Sequence, residues 1–177
     1  MGLRLNLGCS DRFRKGFTNV DICEPADVVC DLESLPWPWD DNSVDEIISD
    51  DILEHIHPFT WRDVTADYAN LGFPVRTREE SKYPIVALMN EVWRVLTPDG
   101  TIRIFIPTTD GRGAFQDPTH KTFWNRNTFF YFTDGDPHRE RFGKAYGITA
   151  RFKVVYESEF PFPDSVTKLT IHLQAVK

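Results

Sequence analysis

Leu3-Arg4-Leu5-Asn6-Leu7-Gly8-Cys9-Ser10 opens the chain, and Val20-Asp21-Ile22 closes 13 residues beyond Gly8, at Asp21. Leu3, Leu5 and Leu7 alternate with Arg4 and Asn6, which is the period of a β-strand. A glycine at the strand's end lets the backbone turn and come close to a ligand. An acidic residue at the end of a second strand is placed to hold a ribose diol, as in dinucleotide folds. Together they predict a small-molecule site at the carboxyl ends of two neighbouring parallel strands. The ligand is narrowed by what is missing. No G-x-G-x-x-G follows the first strand; the next glycine is Gly16, with Asp11, Arg12, Arg14 and Lys15 between. A pyrophosphate needs the glycine-rich turn and a helix N-terminus. NAD or FAD therefore fits poorly, and an adenosyl ligand without phosphates fits better.

Further strands are predicted at 18–21, 27–30, 44–49 and 101–106, with a turn-rich stretch at 35–42. Asp51-Ile52-Leu53-Glu54 reads as a helix start, with Asp51 as cap and Glu54 three residues on. Residues 58–83 mix aromatic, polar and charged types around Gly72 and Pro74, which suggests an irregular helical insertion or lid. Ile85, Leu88, Met89, Val92, Trp93 and Leu96 follow helical spacing, and Pro84 suits the first turn. Thr97-Pro98-Asp99-Gly100 has the composition of a type I turn. A polar loop over 108–121, a short aromatic helix over 125–132 and a break at 134–137 follow. Two late strands, 152–159 and 166–176, should pair antiparallel. The whole reads as one α/β domain over 1–177: a three-layer, Rossmann-like, mostly parallel sheet with an antiparallel C-terminal edge.

The chain is 41% hydrophobic and 14% aromatic, so it can bury a core. Its net charge is -7 with no long basic run, so no nucleic-acid surface is evident. That balance suits a cationic ligand. Cys9, Cys23 and Cys30 form no C-x-x-C pair, which points to reduced thiols in the cytoplasm. No apolar run reaches membrane-spanning length, and a strand begins almost at once, leaving no room for a signal peptide. A soluble, cytoplasmic protein is expected.

The pieces resemble a class I S-adenosylmethionine-dependent methyltransferase, and more narrowly the small methyltransferase type 11 branch with a shortened glycine loop. The matching stretches are 5–10, 19–22, 31–37, 42–48, 52–55 and 90–100, in family order. No single one is specific, and their order carries the resemblance. The family usually shows G-x-G-x-G after the first strand; here only Gly8 remains, and the helix that should follow it is nearly missing. Gln116-Asp117-Pro118-Thr119-His120 is similar to a stretch in some phage and bacterial relatives.

The resemblance implies S-adenosylmethionine as cofactor and a small-molecule acceptor methylated by in-line displacement. The backbone at Asn6, Leu7 and Gly8 would approach the methionine part, Asp21 would bind the ribose hydroxyls, Asp31 would accept from the adenine amine and the Leu32 backbone would meet the ring, with Ile22 a further cofactor-binding residue. Ser49, Asp50 and Asp51 follow the fourth strand, where donor meets acceptor in such folds. His120 is the candidate base, since it sits in a polar loop leaving a strand's carboxyl end and imidazole is the side chain whose ordinary chemistry suits proton removal. Asp51 is the second candidate. Trp37 and Trp39 either wall the adenine or fill the core, and the aromatic residues at 123–132 either line an acceptor pocket or form a small core. Asp50, Asp51, His55 and His57 have metal-ligand chemistry, but carboxylates at a helix start are more often caps, so no metal is assigned. A non-catalytic cofactor-binding or regulatory protein is the alternative, motivated by the lone glycine.

Overall fold

A computed structural model describes residues 2–57 and 83–177. Seven strands form one sheet: β1 (Leu3–Leu7), β2 (Thr18–Asp21), β3 (Val28–Val29), β4 (Val44–Asp50), β5 (Leu96–Pro107), β6 (Phe152–Phe162) and β7 (Val166–Ala175). Their order is β3-β2-β1-β4-β5-β7-β6. The first five run parallel, β7 pairs antiparallel with β5, and β6 pairs antiparallel with β7. The mostly parallel sheet with an antiparallel C-terminal edge is thus present as its sequence pattern predicts. The insertion expected at 58–83 lies outside the described residues, apart from Tyr83.

One sheet face carries Leu5, Leu7, Ile47, Ile102, Ile104, Ile106, Leu169, Ile171 and Leu173, all buried. They form a single cluster with Leu88, Met89, Val92 and Val95 of α1 (Pro84–Val95). The opposite face alternates in polar residues, as a period of two demands. Arg4 Nε donates to Glu46 Oε2 at 2.7 Å, Arg103 pairs with Asp50 at 3.5 Å, and His172 packs on Tyr156. A parallel sheet covered on both faces usually reads as continuous apolar runs. These strands alternate because this face satisfies its charges in place. Among the described residues no α-helix joins β1 to β2, β2 to β3, or β3 to β4, so the helix expected to be missing after β1 is missing.

The family-like stretch in α1 has a mechanical role. Asn90 Oδ1 accepts from Thr149 and Ala150 N–H, and its amide donates to Gly147 O. Buried Glu91 accepts from Trp37 N–H at 2.6 Å and from Arg94 at 2.6 and 2.9 Å. Arg94 also donates to the carbonyls of Trp37 and Trp39 and to Asp41. Three polar residues of this one helix thereby fasten the 37–41 turns and the 147–150 segment to the core.

Several expectations are corrected. Asp99 has φ 63, which a type I turn forbids at its third position and a type II turn requires. Residues 51–54 do not start an α-helix; Leu53–His55 is a three-residue 3₁₀ turn capped by Ile52 without a side-chain bond. Asp51 cannot serve as cap, because its φ of 56 is left-handed where a cap is extended. Two further helices interrupt stretches read as loop or break: α2 (Gly113–Gln116) and α4 (Pro137–Tyr146), separated by the expected aromatic helix α3 (Arg126–Phe130). α4 has its signals in its caps: Asp136 accepts from His138 N–H, and Gly147 closes it at φ 74. Its sequence is too polar to show an apolar stripe.

Candidate functional site

The first region lies at the carboxyl ends of β1, β2 and β3. Gly8 turns at φ +61, and a side chain there would collide with Ile52, whose Cδ1 lies 1.8 Å from the position of an added Cβ. Glycine is needed at this point both for its conformation and for the close approach of Ile52. Asp21 Oδ2 accepts from Ser10 N–H at 2.8 Å and Oδ1 from Ile22 N–H at 2.7 Å. A carboxylate has about four lone-pair positions, so these two amides orient Asp21 without exhausting it. Beside it Ile22 is 67% exposed and Val29 51% exposed, an apolar surface next to an oriented carboxylate. Asp31 accepts from Glu33 N–H and Ser34 Oγ, closing the turn after β3. Leu32 packs on the core and its carbonyl accepts from Trp37 Nε1. Trp37 is buried in that core, with Trp39 against it edge-on. Asn6 is buried and donates to Arg12 O and Asn19 Oδ1, so its side chain shapes the loop that follows β1.

That loop spans to β4. Arg12 donates to Asp50 O at 3.1 Å and lies 3.9 Å from Asp51, while Arg14 pairs with Asp50 Oδ2. Buried Ser49 keeps an unpartnered hydroxyl among the described residues. Where a helix would ordinarily follow β1, two arginines tie the first region to the second.

The second region is a cavity of about 210 Å³ at the carboxyl ends of β4 and β5, lined among others by Asp51, Glu54, His55, Asp117, His120 and Lys168. The 3₁₀ turn after β4 supplies Glu54 and His55. The loop before α3 is strapped to it: Lys121 and Thr122 N–H donate to Glu54 O, and Thr122 Oγ1 donates to Leu53 O. This strapping carries His120 to the wall. Its Nδ1 lies 3.0 Å from Ala114 O, and a carbonyl only accepts, so Nδ1 carries the proton. Nε2, the acceptor nitrogen of the neutral ring in this tautomer, lies 4.0 Å from Glu54 Oε1 and 3.9 Å from Asp117 Oδ2. His55 stacks edge-on against His120 and directs its own Nδ1 at Thr119 O. Glu54 is 2% exposed, and neither carboxylate oxygen has a hydrogen-bond partner among the described residues. Burial, ahead of the nearby Asp51 charge, pushes its pKa from the ordinary 4.5 up to about 8. Asp51 accepts from Lys168 Nζ through both oxygens at 2.8 Å, so this candidate base faces an ammonium.

Of the polar loop after β5, Gln116, Asp117 and His120 meet at this cavity, together with Pro107 at the end of the strand. Thr108 and Thr109 instead join the short segment at Trp124, and Arg112 pairs with Asp164. Trp124, Phe129 and Phe132 are buried in the main core, so these three fill core and form no separate small cluster, while Phe123 and Phe115 stack outside. The metal-like set Asp50, Asp51, His55 and His57 is dispersed: Asp50 pairs with arginines, Asp51 with Lys168 and His57 with Glu33. Sequence reasoning missed Lys168 and Val166, which reach the cavity from β7, and treated Glu54 as support.

No protein-family model and no curated protein matches the chain. Solved structures do. The Burkholderia thailandensis 1,6-didemethyltoxoflavin-N1-methyltransferase, crystallised with bound 1,6-didemethyltoxoflavin and S-adenosylhomocysteine, matches at TM-score 0.59 and 16% identity, over 99% of this chain and 72% of that one. The N-methyltransferase NodS of Bradyrhizobium japonicum, with S-adenosylhomocysteine, matches at 0.55 and 11%, over 99% and 79%. This chain has the class I methyltransferase fold. The same fold serves other chemistry: the [4+2]-cyclase SpnF matches at 0.56 and 12%, over 99% and 75%. Within the methyltransferase fold, the first region occupies the strand ends where ligands of open α/β sheets bind, and the cavity adjoins it. No helix of the described residues is long and apolar enough to cross a membrane.

Proposed function

We propose that the chain transfers a methyl group from S-adenosylmethionine to a small acceptor held in the cavity. The observation that carries this reading is the shared wall. Arg12 and Arg14 of the β1 loop contact Asp50 and Asp51, so an adenosyl site at β1–β3 and the polar cavity at β4–β5 open side by side. Asp21 would take the ribose hydroxyls, Ile22 and Leu32 the faces of the adenine, and Asp31 its amine. Asn6, Leu7 and Gly8 would present backbone to the methionine part, which meets Ile52 there. Arg12, half exposed, is the cation placed for its carboxylate. Ser49, Asp50 and Asp51 would border the sulfonium. The acceptor's lone pair attacks the methyl carbon, the carbon–sulfur bond breaks toward sulfur, and S-adenosylhomocysteine leaves. Such a displacement depends mainly on approach geometry, which two adjoining sites supply. For a hydroxyl acceptor, His120 Nε2 is the group placed to take the proton; Asp51, engaged by Lys168, serves as wall.

A second reading is favoured by the single glycine and by Ile52 against it: a protein that binds the cofactor without transfer. Incubation with methyl-labelled S-adenosylmethionine across a panel of small hydroxyl and amine acceptors separates the two. Transfer of label to an acceptor with equimolar S-adenosylhomocysteine is expected. Cofactor binding with no transfer across the panel supports the binding protein instead.

A further inference from the structure

The floor of the cavity combines three features that neither a base nor a structural role requires together. Glu54 is almost fully buried, and neither carboxylate oxygen has a partner among the described residues. His120 directs Nδ1 at the Ala114 carbonyl, and His55 directs Nδ1 at the Thr119 carbonyl and at the Thr119 hydroxyl, whose own proton goes to Asp117; in the neutral rings this puts the proton on Nδ1 and makes Nε2 the ligand nitrogen. Metal-ligating histidines are held in this way, by a second-shell carbonyl on the other nitrogen. One ligand atom from each of Glu54, His55 and His120 lies within 4.8 Å of the other two. Ligands about 2.1 Å from one ion stand roughly 3–3.5 Å apart, so side-chain rotations of about 1 Å close the set.

We infer that Glu54, His55 and His120 bind one divalent transition-metal ion at the base of the cavity, with its remaining coordination positions open to the acceptor. Two imidazoles and one carboxylate with open positions match the donor set of zinc hydrolases and of non-haem iron sites, and suit neither calcium nor magnesium. Lys168 is the opposing cation nearby, and Asp51 neutralises it through both oxygens. Asp117, whose Oδ2 is 3.9 Å from His120 Nε2, adds a further negative charge at the rim. The ion satisfies the orphaned carboxylate, which is otherwise a costly group to bury.

For the transfer reaction the ion changes the work of His120, and this consequence alone rests on the methyltransferase reading. His120 becomes a ligand, and an acceptor hydroxyl bound at an open position is acidified as metal-bound water is. That hydroxyl gives its proton to solvent, and its oxygen then attacks the sulfonium methyl as described above. The acceptor class is a small molecule with a hydroxyl or similar donor able to enter the coordination sphere.

Calorimetric titration of the chelator-treated full chain with Zn²⁺, and absorption spectra with Co²⁺, test the site. One equivalent should bind, with a Co²⁺ spectrum free of thiolate charge transfer. Glu54→Gln and His120→Ala should each weaken binding at least about tenfold, and His57→Ala, outside the cluster, should not. S-adenosylhomocysteine binding measured on the same samples reports both folding and the adenosyl site. Absence of Zn²⁺ binding in wild type, binding unchanged in both cluster variants, or a thiolate signature from Cys9, Cys23 or Cys30 would each overturn the metal site. Such a result beside intact S-adenosylhomocysteine binding overturns the ion alone and leaves the methyltransferase reading standing.

Discussion

In chelating buffer near pH 8.5, Glu54→Gln should be more stable than the wild-type chain by up to roughly 5 kcal/mol, and near pH 5 the advantage should largely vanish. The cause is burial: Glu54 titrates at about 8 when folded, against an ordinary 4.5. Below 4.5 both states hold the proton, and folding is not penalised. Between 4.5 and 8 the unfolded chain releases the proton while the folded chain keeps it, so wild-type stability falls as pH rises. Above 8 the folded chain carries an uncompensated buried charge. Glutamine preserves the shape and never ionises, so the difference between variant and wild type isolates this one group. Paired urea melts at the two pH values measure it. A pH-independent difference would mean that Glu54 is solvated or paired, and would remove the orphaned carboxylate from the site.

Glu91→Ala should cost roughly 1–3 kcal/mol, the range for leaving a buried donor unsatisfied. Glu91 is 7% exposed and accepts from both Trp37 N–H and the Arg94 guanidinium. Alanine strands the buried Trp37 amide and takes from Arg94 the acceptor whose hydrogen bonds raise its pKa, leaving the guanidinium Asp41 and two carbonyls. Glu91→Gln keeps an oxygen for Trp37 and should lose less. The urea midpoint at neutral pH reads both. A loss below about 1 kcal/mol for alanine would show that the 37–41 turns are held by other contacts.

These two residues show how far the sequence could be read. Asn90, Glu91 and Arg94 were visible as a recurring pattern, but their purpose lies in contacts with residues 37–41 and 147–150, which no local window contains. The sheet was legible because each strand carries its own period and because Gly8 and Asp21 punctuate strand ends. Loop position picked out His120. Glu54 was hidden, since a glutamate three residues after an aspartate reads as helix capping; the left-handed backbone of Asp51 defeats that capping. Lys168 and Val166 carry no local signal at all, because antiparallel pairing of β7 with β5 alone brings them to the cavity. α4 was missed because its apolar stripe is weak, although Asp136 and Gly147 mark both ends.

The adenosyl site is tested most directly by calorimetric titration with S-adenosylhomocysteine, on wild type and on Asp21→Ala. Wild type should bind one equivalent, and the variant should bind at least about tenfold more weakly, since the ribose loses a charge-assisted hydrogen-bond partner. Equal binding by both proteins would contradict the placement of the ribose at Asp21. No binding by folded wild type would contradict the cofactor site at the ends of β1, β2 and β3.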